Sequence, residues 1–153
     1  MNEFRLTDVD RALLRELARD GRLPYKELAA RVGLPVSTCH GRVRALEAAG
    51  VIRGYRAEID PAAANLSVEA LISVTISGQH RSEVPHIAER LRDIPGVQRV
   101  FLIAGDRDLM LQVACPSVAA LRELISMHLG ANKALEHTRT SLIFEQLSGT
   151  APA

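Results

Sequence analysis

Three features of the chain point to an α+β fold in two parts. Up to about residue 50, apolar residues recur near the helical repeat of about 3.6, whereas from Ile72 they alternate with polar ones. Between the two stretches lies Asp60-Pro61 and an alanine-rich run to Leu66, which reads as a boundary. The expected parts are residues 1–60, helical and ending in a linking strand, and residues 61–153, in which the elements run β-α-β-β-α-β.

In the first part, Thr7 and Asp8 are capping residues for a helix whose stripe is Val9, Leu13, Leu14 and Leu17 and which Gly21 stops. Pro24 then opens a second helix at its first turn, with Leu28, Ala29 and Val32 apolar on one side. Gly33 can leave that helix with a positive φ, and Leu34 follows as a hydrophobic plug. A third helix carries Cys39, Val43 and Leu46 at i, i+4 and i+7. Gly50 ends it, and Val51 to Ile59 reads as extended, either a wing or a linking strand.

In the second part, Ile72, Val74 and Ile76 alternate with Ser73, Thr75 and Ser77, as in a strand with one buried face. Ser82 to Ile94 returns to helical spacing through Val84, Ile87, Ala88 and Leu91, with Pro85 in the first turn and Pro95-Gly96 as the stop. Strands are expected at Val97 to Ala104 and Leu109 to Ala114, joined by the turn Gly105-Asp106-Arg107-Asp108. Pro116 and Ser117 open a helix with Val118, Leu121, Leu124, Ile125 and Leu129 on one face, and a last strand runs from about His137 to Leu147. This order is the ferredoxin-like split βαβ, a four-stranded antiparallel sheet with two helices on one face. Nothing in the sequence covers the other face, although Leu71, Phe101, Ile103 and Met110 are apolar, so it is expected to pack on a second subunit.

Composition narrows the function. With 153 residues, 47% apolar content and a net charge of +1, the chain suits a globular protein whose small halves favour self-association. No stretch reaches the roughly 20 apolar residues that span a bilayer, and MNEFRLTDVD is not a signal peptide, so no membrane partner and a cytoplasmic location are expected. Cys39 and Cys115 lie in apolar runs as small hydrophobes, and no zinc-ligand pairs, phosphate-cradling glycine loop or nucleophile-base constellation occurs. The expectation is a protein without catalytic residues, metal or cofactor.

The third helix carries the strongest functional signal. With Cys39, Val43 and Leu46 buried, a wheel of about 100° per residue turns Ser37, Gly41, Arg44 and Ala48 outward, with Thr38 and His40 on the flanks. Two apolar-striped helices around a glycine also occur in domains that never meet nucleic acid, so charge has to decide. Residues 31–56 hold five arginines against one acid, Glu47, an excess of +4 in a chain of net +1. Ser37, Thr38, His40 and Arg44 are therefore the expected groove contacts on double-stranded DNA, with Arg42, Arg53 and Arg56 positioning phosphates. Arg42, nearer the buried edge, has a carboxylate such as Glu47 as its other partner. A merely solvated strand is the alternative for Arg53 and Arg56.

The motifs LTDVDRALLRELARDGR, LAARVGLPVSTCHGRVRALEAAGVIRGYRAEIDP and GDRDLMLQV, in this order, resemble the leucine-responsive/asparagine-regulator (Lrp/AsnC) family from about Leu6 to Leu147. The resemblance implies an N-terminal, winged helix-turn-helix that binds DNA with its third helix. It also implies a ferredoxin-like domain that forms a homodimer, often an octamer, and senses an amino acid or related small metabolite. Two positions depart from the family pattern. Pro35 stands where a serine usually caps the recognition helix, leaving Ser37 to cap it or the cap lost. Arg107 replaces an aromatic between the two aspartates, which bears on the identity of the ligand.

The resemblance places the effector at the turn, where Gly105, Asp106 and Asp108 combine free backbone dihedrals with two carboxylates suited to an α-ammonium group. Thr138 and Thr140, alternate residues of the last strand, are expected to add hydroxyl contacts. An ordinary acidic hairpin is the alternative. Two other functions stay open at this point: a metabolite-binding oligomer without operator recognition, suggested by Pro35, and a sirohaem decarboxylase-like enzyme using His80, His86, His128 or His137. Those histidines share no face or ligand spacing.

Overall fold

The computed structural model describes residues 5–147. They divide into two compact units, the first comprising the residues up to Glu58 together with Leu147 and the second Ile59–Gln146.

The first unit holds α1 (Asp8–Arg19), α2 (Tyr25–Val32) and α3 (Val36–Ala48). Helix α1 starts with a closed capping box: Asp10 N–H donates to Thr7 Oγ1 at 3.3 Å, and Thr7 N–H donates back to Asp10 Oδ2 at 2.9 Å. Helix α2 ends at Gly33 in the left-handed region, φ 68°, which turns the chain so that Leu34 N–H reaches Ala29 O. One core joins the three helices through Leu13, Leu23, Leu28, Ala29, Cys39 and Val43, with Val9, Leu17, Leu34 and Ile52 packed against it. Burial pushes the Cys39 thiol pKa up, in keeping with its place as a small hydrophobe.

The extended segment after α3 is not a strand. Val51 and Ile52 both donate to Leu46 O, but no ladder partner for residues 53–59 is present among the described residues. Neither the expected wing nor a linking strand is therefore formed among the described residues.

The second unit comprises β1 (Val68–Ile76), α4 (Val84–Arg92), β2 (Val97–Leu102), β3 (Leu109–Cys115), α5 (Val118–Leu124) and β4 (Leu135–Ile143). The sheet order is β2-β3-β1-β4, every neighbouring pair antiparallel, which is the ferredoxin-like arrangement. Ala70, Ile72, Val74 and Ile76 of β1 point into a core with Leu109, Leu111 and Val113 of β3, Ile87 and Leu91 of α4, and Leu121 and Leu124 of α5.

Boundaries shift in three places. The helix expected from Ser82 begins as a 3-10 turn over Gly78–Glu83, and the α-helix starts at Val84, where Pro85 fits the first turn. Helix α5 widens into a π-helical turn at Ile125–Gly130, which keeps Leu129 in the core. The last strand occupies Leu135–Ile143 rather than residues 137–147, and Phe144 beyond it is 98% exposed.

Opposite the helices, Leu71, Ser73 and Thr75 of β1 share the second sheet face with Met110 and Phe101 on one side and Arg139 and His137 on the other. Phe101 is 42% exposed there, and Leu71 and Met110 are only partly covered. This is the open apolar face anticipated from the alternation.

Candidate nucleic-acid interface and effector site

Helix α3 buries one stripe completely: Cys39, Val43 and Leu46 are each 0% exposed. Geometry then forces the other stripe outward, and Ser37, Thr38, His40, Gly41, Arg44 and Ala48 are all exposed. Gly41 has open space where a Cβ would stand, so the core does not require a glycine there. Arg44 makes no hydrogen bond or ion pair among the described residues, whereas His40 rests edge-on against the Tyr25 ring, centroids 4.8 Å apart. The residues expected to meet DNA grooves thus lie on one continuous exposed face.

Two local expectations need correction. Arg42 pairs with a carboxylate, but with Asp10 of α1 rather than Glu47, because residues five apart on a helix diverge by about 140°. Its Nη1 lies 3.0 Å from Asp10 Oδ1 and 3.4 Å from Thr7 Oγ1. Glu47 instead accepts from the Tyr55 hydroxyl at 3.0 Å, and burial followed by that bond pushes the Tyr55 phenol up to about 12. Pro35 stands at the N-cap of α3, and no side chain caps the helix, so the cap is lost rather than passed to Ser37.

Asp10 deserves the name of a structural acid that sequence reading missed. It is 4% exposed, and burial alone would raise its pKa; the Thr7 hydroxyl and backbone N–H and the Arg42 guanidinium outweigh this and hold it below the ordinary value. Its spacing from Thr7 was the available signal, since an acid three residues after a threonine completes a capping box. A second inter-helix pair joins Arg31 Nη1 of α2 to Glu16 Oε2 of α1 at 2.9 Å. Arg53 and Arg56 are exposed on the extended segment and make no ion pair among the described residues.

In the second unit, Gly105 adopts φ 133°, a conformation that L side chains rarely take, and lets the chain turn back between β2 and β3. Asp108 is spent on that turn: its Oδ2 accepts from Ile76 N–H at 2.7 Å and its own N–H donates to Val74 O at 3.0 Å. The Asp106 side chain, by contrast, is 91% exposed. Arg107, 31% exposed, donates through Nη1 to Thr75 Oγ1 at 2.9 Å, and its Nε lies 3.8 Å from Asp106 Oδ2.

The strand register separates the remaining candidates. Thr138 is opposite Val74 and Thr140 opposite Ile72, so both hydroxyls stand on the helix side of the sheet, at its exposed edge. Thr75 and its Arg107 partner belong to the open side. The two threonines and Arg107 are therefore not brought together on one face.

A helix-turn-helix with an exposed hydroxyl and basic helix, joined to a ferredoxin-like domain, defines a class of DNA-binding regulator. The comparisons with known proteins agree with it and give the family. Residues 6–53 match the winged helix-turn-helix DNA-binding model, and residues 69–152 match the Lrp/AsnC ligand binding domain. The chain is 42% identical over 147 residues to the transcriptional regulator AldR of Mycolicibacterium smegmatis, covering 96% of this chain and 86% of that one. The structure is similar to the feast or famine regulatory protein of M. tuberculosis complexed with L-methionine, with a TM-score of 0.84, 33% identity and coverage of 97% and 99%. It is also similar to a Neisseria meningitidis transcriptional regulator in complex with L-Met, with a TM-score of 0.85, 28% identity and coverage of 95% and 94%. The chain belongs to the Lrp/AsnC family of transcriptional regulators.

Proposed function

We propose that this regulator binds its operator through Ser37, Thr38, His40 and Arg44 of α3, and that an amino acid or related metabolite at the Gly105–Asp108 turn alters its DNA affinity or assembly. The observation that carries the reading is the full burial of Cys39, Val43 and Leu46, which leaves the opposite stripe of α3 exposed. Arg53 and Arg56 add sequence-independent attraction to phosphates. Arg42 braces α3 against α1 and so contributes to DNA binding chiefly by positioning the helix.

At the turn, Asp106 receives the α-ammonium group, and Asp108 keeps the loop in shape. Thr138 and Thr140 contribute only to a ligand that reaches around the edge strand. The apolar part of the open sheet face, Phe101, Met110 and Leu71, packs against a second copy and leaves the β4 edge with His137 and Arg139 at the rim, giving a dimer that presents two recognition helices to half-sites about 34 Å apart or a multiple of it. No helix among the described residues is long and apolar enough to cross a membrane, and a cytoplasmic place suits a DNA-binding protein.

We read the chain as a regulator and not an enzyme. Supporting this, the relatives are named as transcriptional regulators, and His80, His86, His128 and His137 lie on four separate elements. The test is fluorescence anisotropy on DNA from its own upstream region, with and without added amino acids, alongside size measurement. Salt-dependent, sequence-preferring binding that an amino acid shifts is expected. Tight amino-acid binding with no preference for any DNA would instead favour a metabolite-binding oligomer without operator recognition.

A further inference from the structure

We propose that the effector site is selective for an amino acid bearing a second carboxylate, with Arg107 holding the α-carboxylate and Arg139 the side-chain one. The inference rests on the reading of the turn as the effector site and names the class of ligand it takes.

Asp106 and Arg107 place opposite charges 3.8 Å apart at the tip of the turn, a complement to the ammonium and carboxylate that every free amino acid carries side by side. Arg107 is not a loose surface cation. Its Nη1 bond to Thr75 Oγ1 aims the guanidinium along the open sheet face, and that bond uses one of five N–H donors. The remaining donors suit a bidentate carboxylate.

Beyond this pair the face carries a further fixed cation, Arg139. His137 is the register partner of Thr75, and Arg139 is the partner of Ser73, one row further along the same face. Diagonal neighbours of this kind, such as Thr75 and Arg139, lie about 7–8 Å apart, within reach of long side chains. The acid of β1 on this side is Glu69, two rows beyond Ser73; on β4, Glu136 Oε1 lies 3.9 Å from His137 Nε2, while Arg139 makes no ion pair among the described residues. Ser73 Oγ donates to the Arg139 carbonyl, which fixes the backbone of that row. A neutral amino acid satisfies Asp106 and Arg107 and leaves Arg139 unmatched; an acidic one satisfies all three.

Isothermal titration of the full chain with L-aspartate, L-glutamate, L-alanine, L-leucine and L-methionine tests this. An acidic amino acid should bind at least about tenfold more tightly than any neutral one. Arg139→Gln should remove that preference and leave neutral amino acids unchanged, Arg139→Lys should restore part of it, and Arg107→Gln should weaken all. Circular dichroism and thermal melts of each variant report whether it remains folded. Neutral amino acids binding as tightly as acidic ones, indifferent to Arg139→Gln, would overturn the selectivity and leave the effector turn standing. Binding of none of the amino acids, by a protein that still binds DNA, would overturn both.

Discussion

The Arg42 guanidinium on α3 lies 3.0 Å from the Asp10 carboxylate on α1, and the same carboxylate closes the capping box with Thr7. One acid therefore starts the first helix and holds the recognition helix against it. Asp10→Ala removes the acceptor of the Thr7 N–H, a hydrogen bond worth about 1 kcal/mol, and the charge-assisted hydrogen bond with Arg42, worth about 1.5–3 kcal/mol. Denaturant titration should show a loss of roughly 2–4 kcal/mol in the first unit's transition, and a loss below about 0.5 kcal/mol would contradict the bracing role.

The same acid gives a pH signature. Because folding lowers the Asp10 pKa below its ordinary 3.8, its stabilisation is complete above that value and is lost as the pH falls through the folded value. Thermal melts of wild type and Asp10→Asn should differ most near neutral pH and converge on acidification below about pH 4. A gap that widened in acid would reverse the sign and refute the assignment.

Gly41 separates stability from function. A methyl group there meets nothing within 4 Å among the described residues, and alanine gains about 1 kcal/mol of helix propensity over glycine. Gly41→Ala should therefore raise the melting temperature of the first unit while weakening DNA binding, since the added group stands on the outward face. Higher stability with unchanged DNA affinity would mean that α3 does not approach DNA closely at this position.

Phosphate contacts have a different signature from groove contacts. Arg53→Ala and Arg56→Ala should each weaken binding to target and random DNA alike and flatten the salt dependence by about one unit of slope. Unchanged slopes in both variants would make these arginines a solvated segment.

What the sequence made legible was whatever depends on periodicity. Cys39, Val43 and Leu46 announce their burial through spacing alone, and Ile72, Val74 and Ile76 do so through alternation. The Gly33 exit was equally readable, because a positive φ restricts the residue type. Features set by packing between elements were not. The Arg42 partner comes from α1, 32 residues away, while the nearby Glu47 is drawn to Tyr55. Thr138 and Thr140 look like natural companions of the turn until the register of β4 on β1 puts them on the opposite face from Arg107. Val51 to Ile59 has strand-like residues but no partner strand among the described residues, and composition cannot supply one.

The central claim is that the exposed stripe of α3 reads DNA. Arg44→Ala, measured by anisotropy on the protein's own upstream DNA and on random duplex at matched salt, tests it most directly. The account predicts a loss of about 1–3 kcal/mol on the target and a smaller loss on random DNA, so that the ratio between them falls. Equal affinities of variant and wild type for both duplexes would contradict it.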